Sequence, residues 1–407
     1  MFLNKSLTLH NYHQEEKNKL KGQEILKIRN LNVVFKAKSG YVQAVRGIDL
    51  DLRKGEIIGI VGESGSGKSV SVKSTIGFNE GAITTANLIN LNGIDILSIK
   101  KKQWPFIRGT KIGYIPQDPL MSLDPTKKIK NQIIDAIKIT ELRKKNNYIF
   151  EIKNNSKLNT EEKNKLIKEA KMKYQQNTKM QNIYKRMIEV LDFIGINDSK
   201  KAVNSYPYEF SGGMRQRILI AITIVGEPDV IIADEPTTAL DVTIQAKVID
   251  LIKKLRDKLN ISIIFISHNI ALVANVCDYI YVMYAGKIIE KGTVEDILTF
   301  PCHPYTWALI GSIPENLHGE ELSSIPGTPP NMVSPPKGDA FAFRNKYAMK
   351  IDFEKEPALF QVSPTHFAAT WLLHPNALKI KIPKEIMAKI KIAKKSINIK
   401  KQRTKNG

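Results

Sequence analysis

Cysteine is almost missing from this chain: there are two in 407 residues, Cys277 and Cys302. That excludes a disulfide-stapled scaffold, leaves too few thiolates for a cysteine-rich zinc site, and points to a reducing compartment. Long apolar runs are missing too. No stretch approaches the ~20 residues that cross a bilayer, and the apolar segments at 218–225, 261–266 and 279–285 are short enough to be buried strands or helices. Residues 1–22 hold Lys5, His10, Glu15, Glu16 and Lys17 where a signal peptide would need an apolar core. The expectation is a protein made and kept in the cytoplasm. No internal repeat is present. With 42% hydrophobic and 25% charged residues the composition is globular, which excludes a mainly disordered or fibrous chain, and the length suits two or three domains.

Negative charge is scarce, at 40 Asp+Glu against 62 Lys+Arg, a net charge of +22. The excess is local. Residues 141–186 carry 13 basic and 5 acidic side chains, and residues 379–407 carry 11 and 1. These two segments read as a solvated Lys/Asn-rich insertion and a solvated basic tail, with attachment to an anionic lipid surface ranking ahead of nucleic acid as a role.

Residues 25–35 and 42–52 alternate apolar and polar positions around Gly40, as a hairpin does. A short apolar strand at 56–61 runs into Gly62-Glu63-Ser64-Gly65-Ser66-Gly67-Lys68-Ser69, after which 70–77 has helical character. Further apolar runs at 230–233 and 261–266 end in polar residues, as parallel strands do at their carboxyl ends, and 242–259 has helical spacing. This is an α/β core with a parallel sheet. From 124 to about 204 the chain reads as mostly helical. After Phe300, eight prolines between 301 and 336 mark a separate small C-terminal module.

Gly62–Ser69 matches G-x-x-x-x-G-K-[ST] between a strand and a helix, the context in which backbone N–H groups cradle phosphates. Lys68 then reaches the β- and γ-phosphates, and the Ser69 hydroxyl is a Mg²⁺ ligand. Residues 230–235 read Val-Ile-Ile-Ala-Asp-Glu, a buried strand that delivers two carboxylates. Asp234 can enter the Mg²⁺ shell, and Glu235, one residue beyond, can orient or deprotonate the attacking water.

With these motifs the chain resembles the ATP-binding-cassette ATPases over about 25–304. Phe210-Ser-Gly-Gly-Met-Arg-Gln-Arg217 is similar to their signature sequence, in which Ser211, Gly212 and Gly213 meet the nucleotide held by a partner subunit. The resemblance implies an ABC-type nucleotide-binding domain over 25–300 with a RecA-like core, an antiparallel β subdomain and a helical subdomain at about 120–215. It also implies that Gln117 touches Mg²⁺ and the γ-phosphate, that His268 stabilises charge on that phosphate, and that Asp241 lies in a loop crossing the dimer interface. Asn269 stands where the family usually has Asp. An aromatic from the first hairpin should stack on the adenine, Tyr41 ahead of Phe35. One phosphate loop and one signature in the chain imply a second cassette subunit, as a heterodimer.

His303-Pro-Tyr-Thr-Trp-Ala-Leu-Ile-Gly-Ser-Ile-Pro314 followed by Ile325-Pro-Gly-Thr-Pro-Pro330 resembles the extension of the oligopeptide, dipeptide and nickel importer ATPases. That group implies ATP and Mg²⁺ as ligands, two integral membrane permease subunits, an extracellular peptide-binding protein contacted indirectly, and a place on the cytoplasmic face of the membrane. It implies no nucleic acid. The extension spans 301–378, with the basic tail at 379–407. Readings from other classes are a soluble cassette ATPase acting on nucleic acid or ribosomes, and a non-catalytic regulator, against which Glu235 and His268 both stand. Relatives often carry a four-cysteine iron–sulfur site in this extension. Here its positions read Asp339, Asn345, Asp352 and Thr370, oxygen and amide groups that cannot replace thiolates. The expectation is a cluster-free module held by Phe341, Tyr347, Leu359, Phe360 and Trp371.

Overall fold

A computed structural model describes residues 22–238, 240–313 and 325–405. Most of the N-terminal segment 1–24 therefore lies outside the described residues. The chain divides into two compact units, one formed by Met1–Leu97 with Ile264–Gly407 and the other by Ser98–Ile263.

In the first unit, β1 (Glu24–Ala37) and β2 (Gly40–Arg53) form a long antiparallel hairpin. Its alternation buries Leu26, Ile28, Leu31, Val33, Val45, Ile48, Leu50 and Leu52. The fully buried β3 (Ile57–Val61) leads to α1 (Lys68–Lys73), and β4 (Ala82–Thr85), β5 (Leu88–Leu91) and β6 (Ile94–Asp95) complete the antiparallel sheet β2-β1-β5-β6, with β4 also on β1.

The second unit contains β7 (Ile112–Ile115), α2 (Ile129–Asn154), α3 (Thr160–Asn177), α4 (Met180–Phe193), α5 (Ser199–Ala202), α6 (Gly212–Ile224), β8 (Val230–Asp234) and α7 (Val242–Leu259). β7 and β8 pair in parallel. β9 (Ser262–Ser267) then carries the chain back to the first unit.

There the chain forms α8 (Ile270–Val276), β10 (Tyr279–Tyr284), β11 (Lys287–Thr293), α9 (Val294–Thr299), α10 (Pro304–Gly311), α11 (Lys350–Glu354), β12 (Phe360–Gln361), β13 (Phe367–Ala368) and α12 (Lys384–Lys405). β10 lies parallel to β3 and antiparallel to β11. Gly59 of β3 lets α8 approach, since a methyl group there would fall 2.1 Å from Val273 Cγ1.

Three segments differ from the sequence reading. The 141–186 insertion is folded and anchored rather than simply solvated. Ile152, Ala170 and Ile183 are buried, and so is Glu141, whose carboxylate receives Arg186 Nη1 and Asn177 Nδ2, each at 2.8 Å. Arg186 also reaches Glu227 at 3.0 Å and the Val225 carbonyl. The tail is likewise helical and docked. Ile386 and Ile390 of α12 are buried, and Lys389 Nζ donates to the carbonyls of Gly311 and Ile313 at 2.6 and 2.7 Å.

The C-terminal stretch, expected as a separate module, belongs to the first unit. β13 adds to the edge of β11 through Glu290↔Ala368, and β12 adds to β13. Phe341 is buried, and Tyr347 and Phe360 meet Trp307 and Trp371 edge-on, with centroids 5.6 and 6.1 Å apart. Leu359 departs from expectation: it is 42% exposed and contributes little to that core.

The four positions compared with cluster cysteines each serve a backbone N–H. Asp339 accepts from Phe341, Asn345 from Tyr347, Asp352 from Met349 and Thr370 from Leu372, at 2.6–3.3 Å. These are local turn and capping bonds, the usual work of Asp, Asn and Thr side chains. A donor set of this kind does not suit an iron–sulfur cluster.

Arg186→Ala leaves Glu141 buried with one neutral partner and should lower the unfolding free energy by about 2 kcal/mol, read as a lower urea midpoint, with Arg186→Lys losing less. At Asp339, burial raises the pKa; the Phe341 N–H opposes it and the Asp352 and Glu356 carboxylates add to it, giving about 7. The folded state therefore keeps a proton that the unfolded chain loses, so this group's contribution to stability falls as pH rises from about 4 to about 7 and is flat above. Asp339→Asn keeps the acceptor for Phe341 and should raise the melting temperature at pH 8 but not near pH 4.

Candidate functional site

The phosphate loop is built from the first unit. β3 is followed by Gly62, where a methyl group would fall 2.1 Å from the Met283 carbonyl oxygen. Gly67 closes the loop with φ 96°, a left-handed conformation that favours glycine, and precedes Lys68 and Ser69 at the start of α1. Glu63 O accepts from Ser66 N at 3.2 Å, and Ser66 O accepts from Gly286 N in the β10–β11 turn at 3.0 Å.

Lys68 is buried, and its Nζ donates to the carbonyls of Gly62 and Glu63, both at 2.8 Å. Ser66 Oγ is also buried yet has no partner among the described residues, while a side chain at Gly65 would meet open space. Ser64 is exposed. An orphaned hydroxyl, a buried lysine and a turned glycine-rich backbone together suit a polyanionic phosphate chain.

The rest of the first-unit set lies in two places. Tyr41 is half exposed at the hairpin tip, paired with Lys36. His268 is exposed between β9 and α8. Asn269, where the family usually has Asp, caps α8 by accepting from Ala271 and Leu272 N–H groups at 2.9 and 3.3 Å. A neutral amide oxygen fills the same capping role as a carboxylate.

The second unit brings together the acidic pair and Gln117. Asp234 ends β8 in a buried position and accepts a hydrogen bond from Tyr114 Oη of β7 at 2.7 Å. Burial and this carboxylate push the Tyr114 phenol far above its ordinary pKa, so it acts as a donor. Glu235 follows with φ 48°, a left-handed backbone unusual for a non-glycine residue. Its Oε2 receives Thr238 Oγ1 at 2.9 Å and Gln117 Nε2 at 3.4 Å.

Ser211 caps α6 by accepting from Met214 N at 3.4 Å, and Gly212 and Gly213 form its first turn. Gly213 permits a close approach to α7, since a methyl group there would fall 2.2 Å from Ile244 Cγ2. Asp241 caps α7 through Ile244 N at 3.0 Å. The signature turn and Asp241 are thus neighbours, with Ser211, Gly212 and Asp241 exposed and Gly213 buried.

Sequence reasoning missed Tyr305 and Arg344. His303 is wholly buried and held neutral, burial pushing its pKa down to about 3. Its Nδ1 accepts from Tyr305 N at 3.0 Å and caps α10, with Pro304 at the first helical position. That places Tyr305 Oη to accept from Glu63 N at 2.7 Å. Arg344 forks onto the Glu63 carboxylate. The HPYT wording, which from sequence carries only the resemblance to the importer extension, was the available signal for Tyr305, and nothing near Arg344 marked it.

Among the described residues, Glu290, Cys302 and His366 place three potential metal-ligand atoms within 4.8 Å of one another. Glu290 is already committed, receiving Cys302 N, His303 N and His366 Nε2 at 2.7–3.0 Å. Burial, with the Glu290 and Asp296 carboxylates, pushes the Cys302 thiol up to about 12, so it stays protonated. This is a structural polar cluster.

Comparison with known proteins agrees with this layout. The ABC transporter family model matches residues 45–238, and the model of the oligopeptide/dipeptide transporter C-terminal region matches 289–351. The chain is 56% identical to the oligopeptide transport ATP-binding protein OppD of Mycoplasma genitalium, over 96% of this chain and 98% of that protein. It is 43% identical to the dipeptide transport ATP-binding protein DppD of Lactococcus lactis, over 91% and 97%. Among solved structures, cbiO1 of Clostridium perfringens, part of the ABC transporter complex cbiONQ, aligns with TM-score 0.51 and 25% identity, covering 68% of this chain and 91% of that one. The chain belongs to the ABC transporter ATPases, in the group whose cassette continues into the oligopeptide/dipeptide transporter C-terminal region.

Proposed function

We propose that this chain is the ATP-hydrolysing subunit that energises import of oligopeptides through a membrane ABC permease. The observation that carries the reading is similarity to OppD along nearly the whole of both chains, in a sequence that keeps both the phosphate loop and the paired acids. Similarity to a DppD keeps dipeptides as the second substrate class.

In this reading the N–H groups of residues 62–69 receive the ATP phosphates, Lys68 pairs with the β- and γ-phosphates, and Tyr41 stacks on adenine. Ser69, Gln117 and Asp234 would hold Mg²⁺, a hard cation suited to a hydroxyl, an amide oxygen and a carboxylate. Bound there, Mg²⁺ would neutralise phosphate charge. Tyr114 steadies the Asp234 carboxylate from behind. Glu235, held by Thr238 and Gln117, takes the proton of the attacking water, and His268 stabilises charge on the γ-phosphate. Ser211, Gly212, Gly213 and Asp241 face the nucleotide of a second cassette subunit. ATP favours the closed pair and hydrolysis releases it, so chemistry drives permease motion as a shift between two states.

No helix among the described residues is long and apolar enough to cross a membrane. The proposed location is the cytoplasmic face of the membrane, peripheral, on two integral permease subunits, with an extracellular peptide-binding protein contacted only through them.

Lys68→Ala should abolish nucleotide binding by removing a charged phosphate contact. Glu235→Gln should bind ATP normally and lose at least ~100-fold in turnover, the scale of a missing general base. Both are read by fluorescent-nucleotide binding and phosphate release from the reconstituted transporter. Undiminished hydrolysis by Glu235→Gln would remove that carboxylate from the mechanism.

A further inference from the structure

Glu63, the second residue of the phosphate loop, poses a problem in elementary electrostatics. A carboxylate placed where a polyanion must arrive repels it. The structure shows how that charge is answered. Arg344, 281 positions later, donates Nη1 to Glu63 Oε2 at 2.6 Å and Nη2 to Oε1 at 3.0 Å. Its side chain is 5% exposed. The guanidinium is itself held, with Nε donating to the Pro326 carbonyl at 2.7 Å and Nη1 to Tyr284 Oη at 3.1 Å. It lies near the Tyr284 and Phe341 rings, at 5.8 and 5.9 Å from their centroids. Phe341 in turn packs on Tyr284 and Tyr305, with centroids 5.3 Å away in both cases.

We infer that Arg344 is a positioning residue for nucleotide binding: together with Tyr305 it sets the phosphate-loop backbone at Glu63, so that the C-terminal region of the chain tunes the affinity of its own loop for a nucleoside triphosphate. This rests on reading residues 62–69 as the nucleotide site. Glu63 is fixed at its N–H by Tyr305, at its carbonyl by Lys68 and at its carboxylate by Arg344. Donors aimed before the anion arrives bind it without a further ordering cost. The fork also neutralises the one loop side chain that opposes phosphate. A lysine could supply the charge but not two parallel bonds in one plane.

The test is the dissociation constant of mant-ATP for the full-length chain, with a thermal melt of each variant. Arg344→Ala should weaken binding about tenfold, the scale of one charge-assisted bidentate contact, and Arg344→Lys should weaken it less. Adding Glu63→Ala to Arg344→Ala should recover part of the lost affinity, because the unanswered carboxylate goes with it. A merely structural brace at Arg344 makes the two losses multiply instead. The inference fails if folded Arg344→Ala binds mant-ATP as the wild type does, or if the double variant binds more weakly than Arg344→Ala alone. Should Arg344→Ala not fold, Arg344→Lys with and without Glu63→Ala gives the same comparison. Lys68→Ala separates the two levels: binding retained there overturns the nucleotide reading itself, whereas binding lost there with unaltered Arg344 variants overturns only the role of Arg344.

Discussion

Glu63 is held at three points, its N–H, its carbonyl and its carboxylate, and the proposed phosphate site depends on that restraint. A glycine-rich loop is conformationally cheap to distort, so its N–H groups converge on one anion only if neighbouring structure holds them there. β3 fixes the entry at Gly62 by burial, and α1 fixes the exit at Gly67. Between them the restraint comes from Tyr305 and Arg344, which β3 and α1 could not supply. This gives the C-terminal region a physical purpose. Its aromatic cluster, the His303 cap and the β13 addition to β11 put a phenol and a guanidinium at the loop.

In the second unit the same logic applies with the opposite sign. Two adjacent carboxylates at the end of β8 repel each other and must be held apart. Tyr114 takes Asp234 from β7, while Thr238 and Gln117 take Glu235, whose backbone is left-handed. Each acid thus has its own donors, and the two are proposed to do different work.

Much of this was legible in the sequence. Short apolar runs ending in polar residues marked β3, β8 and β9, and helical spacing gave both ends of α7, Val242 and Leu259. The phosphate loop and the acid pair were visible because their chemistry needs contiguous residues. What escaped notice was contact between distant positions. Arg344 and Glu63 are 281 residues apart, and Glu141 and Arg186 are 45 apart inside a lysine-rich stretch where any single charge looks solvated. Ile386 and Ile390 are different, since two apolar residues four apart in a basic tail do mark one face of a helix. Net charge obscured that pattern. Leu359 was assigned to the core on hydrophobicity alone, which does not identify a buried position.

Coupling of ATP hydrolysis to the movement of peptide across a membrane is the activity proposed for this chain. It is tested most directly by accumulation of a labelled oligopeptide in proteoliposomes holding this chain, its partner cassette subunit and the two permease subunits. The ATP-facing side must carry nucleotide and the opposite side the binding protein. The expected result is uptake that requires ATP and stops when this chain carries Glu235→Gln. Peptide accumulation that is indifferent to ATP, or ATP hydrolysis stimulated by RNA or ribosomes and not by the permease, would contradict it.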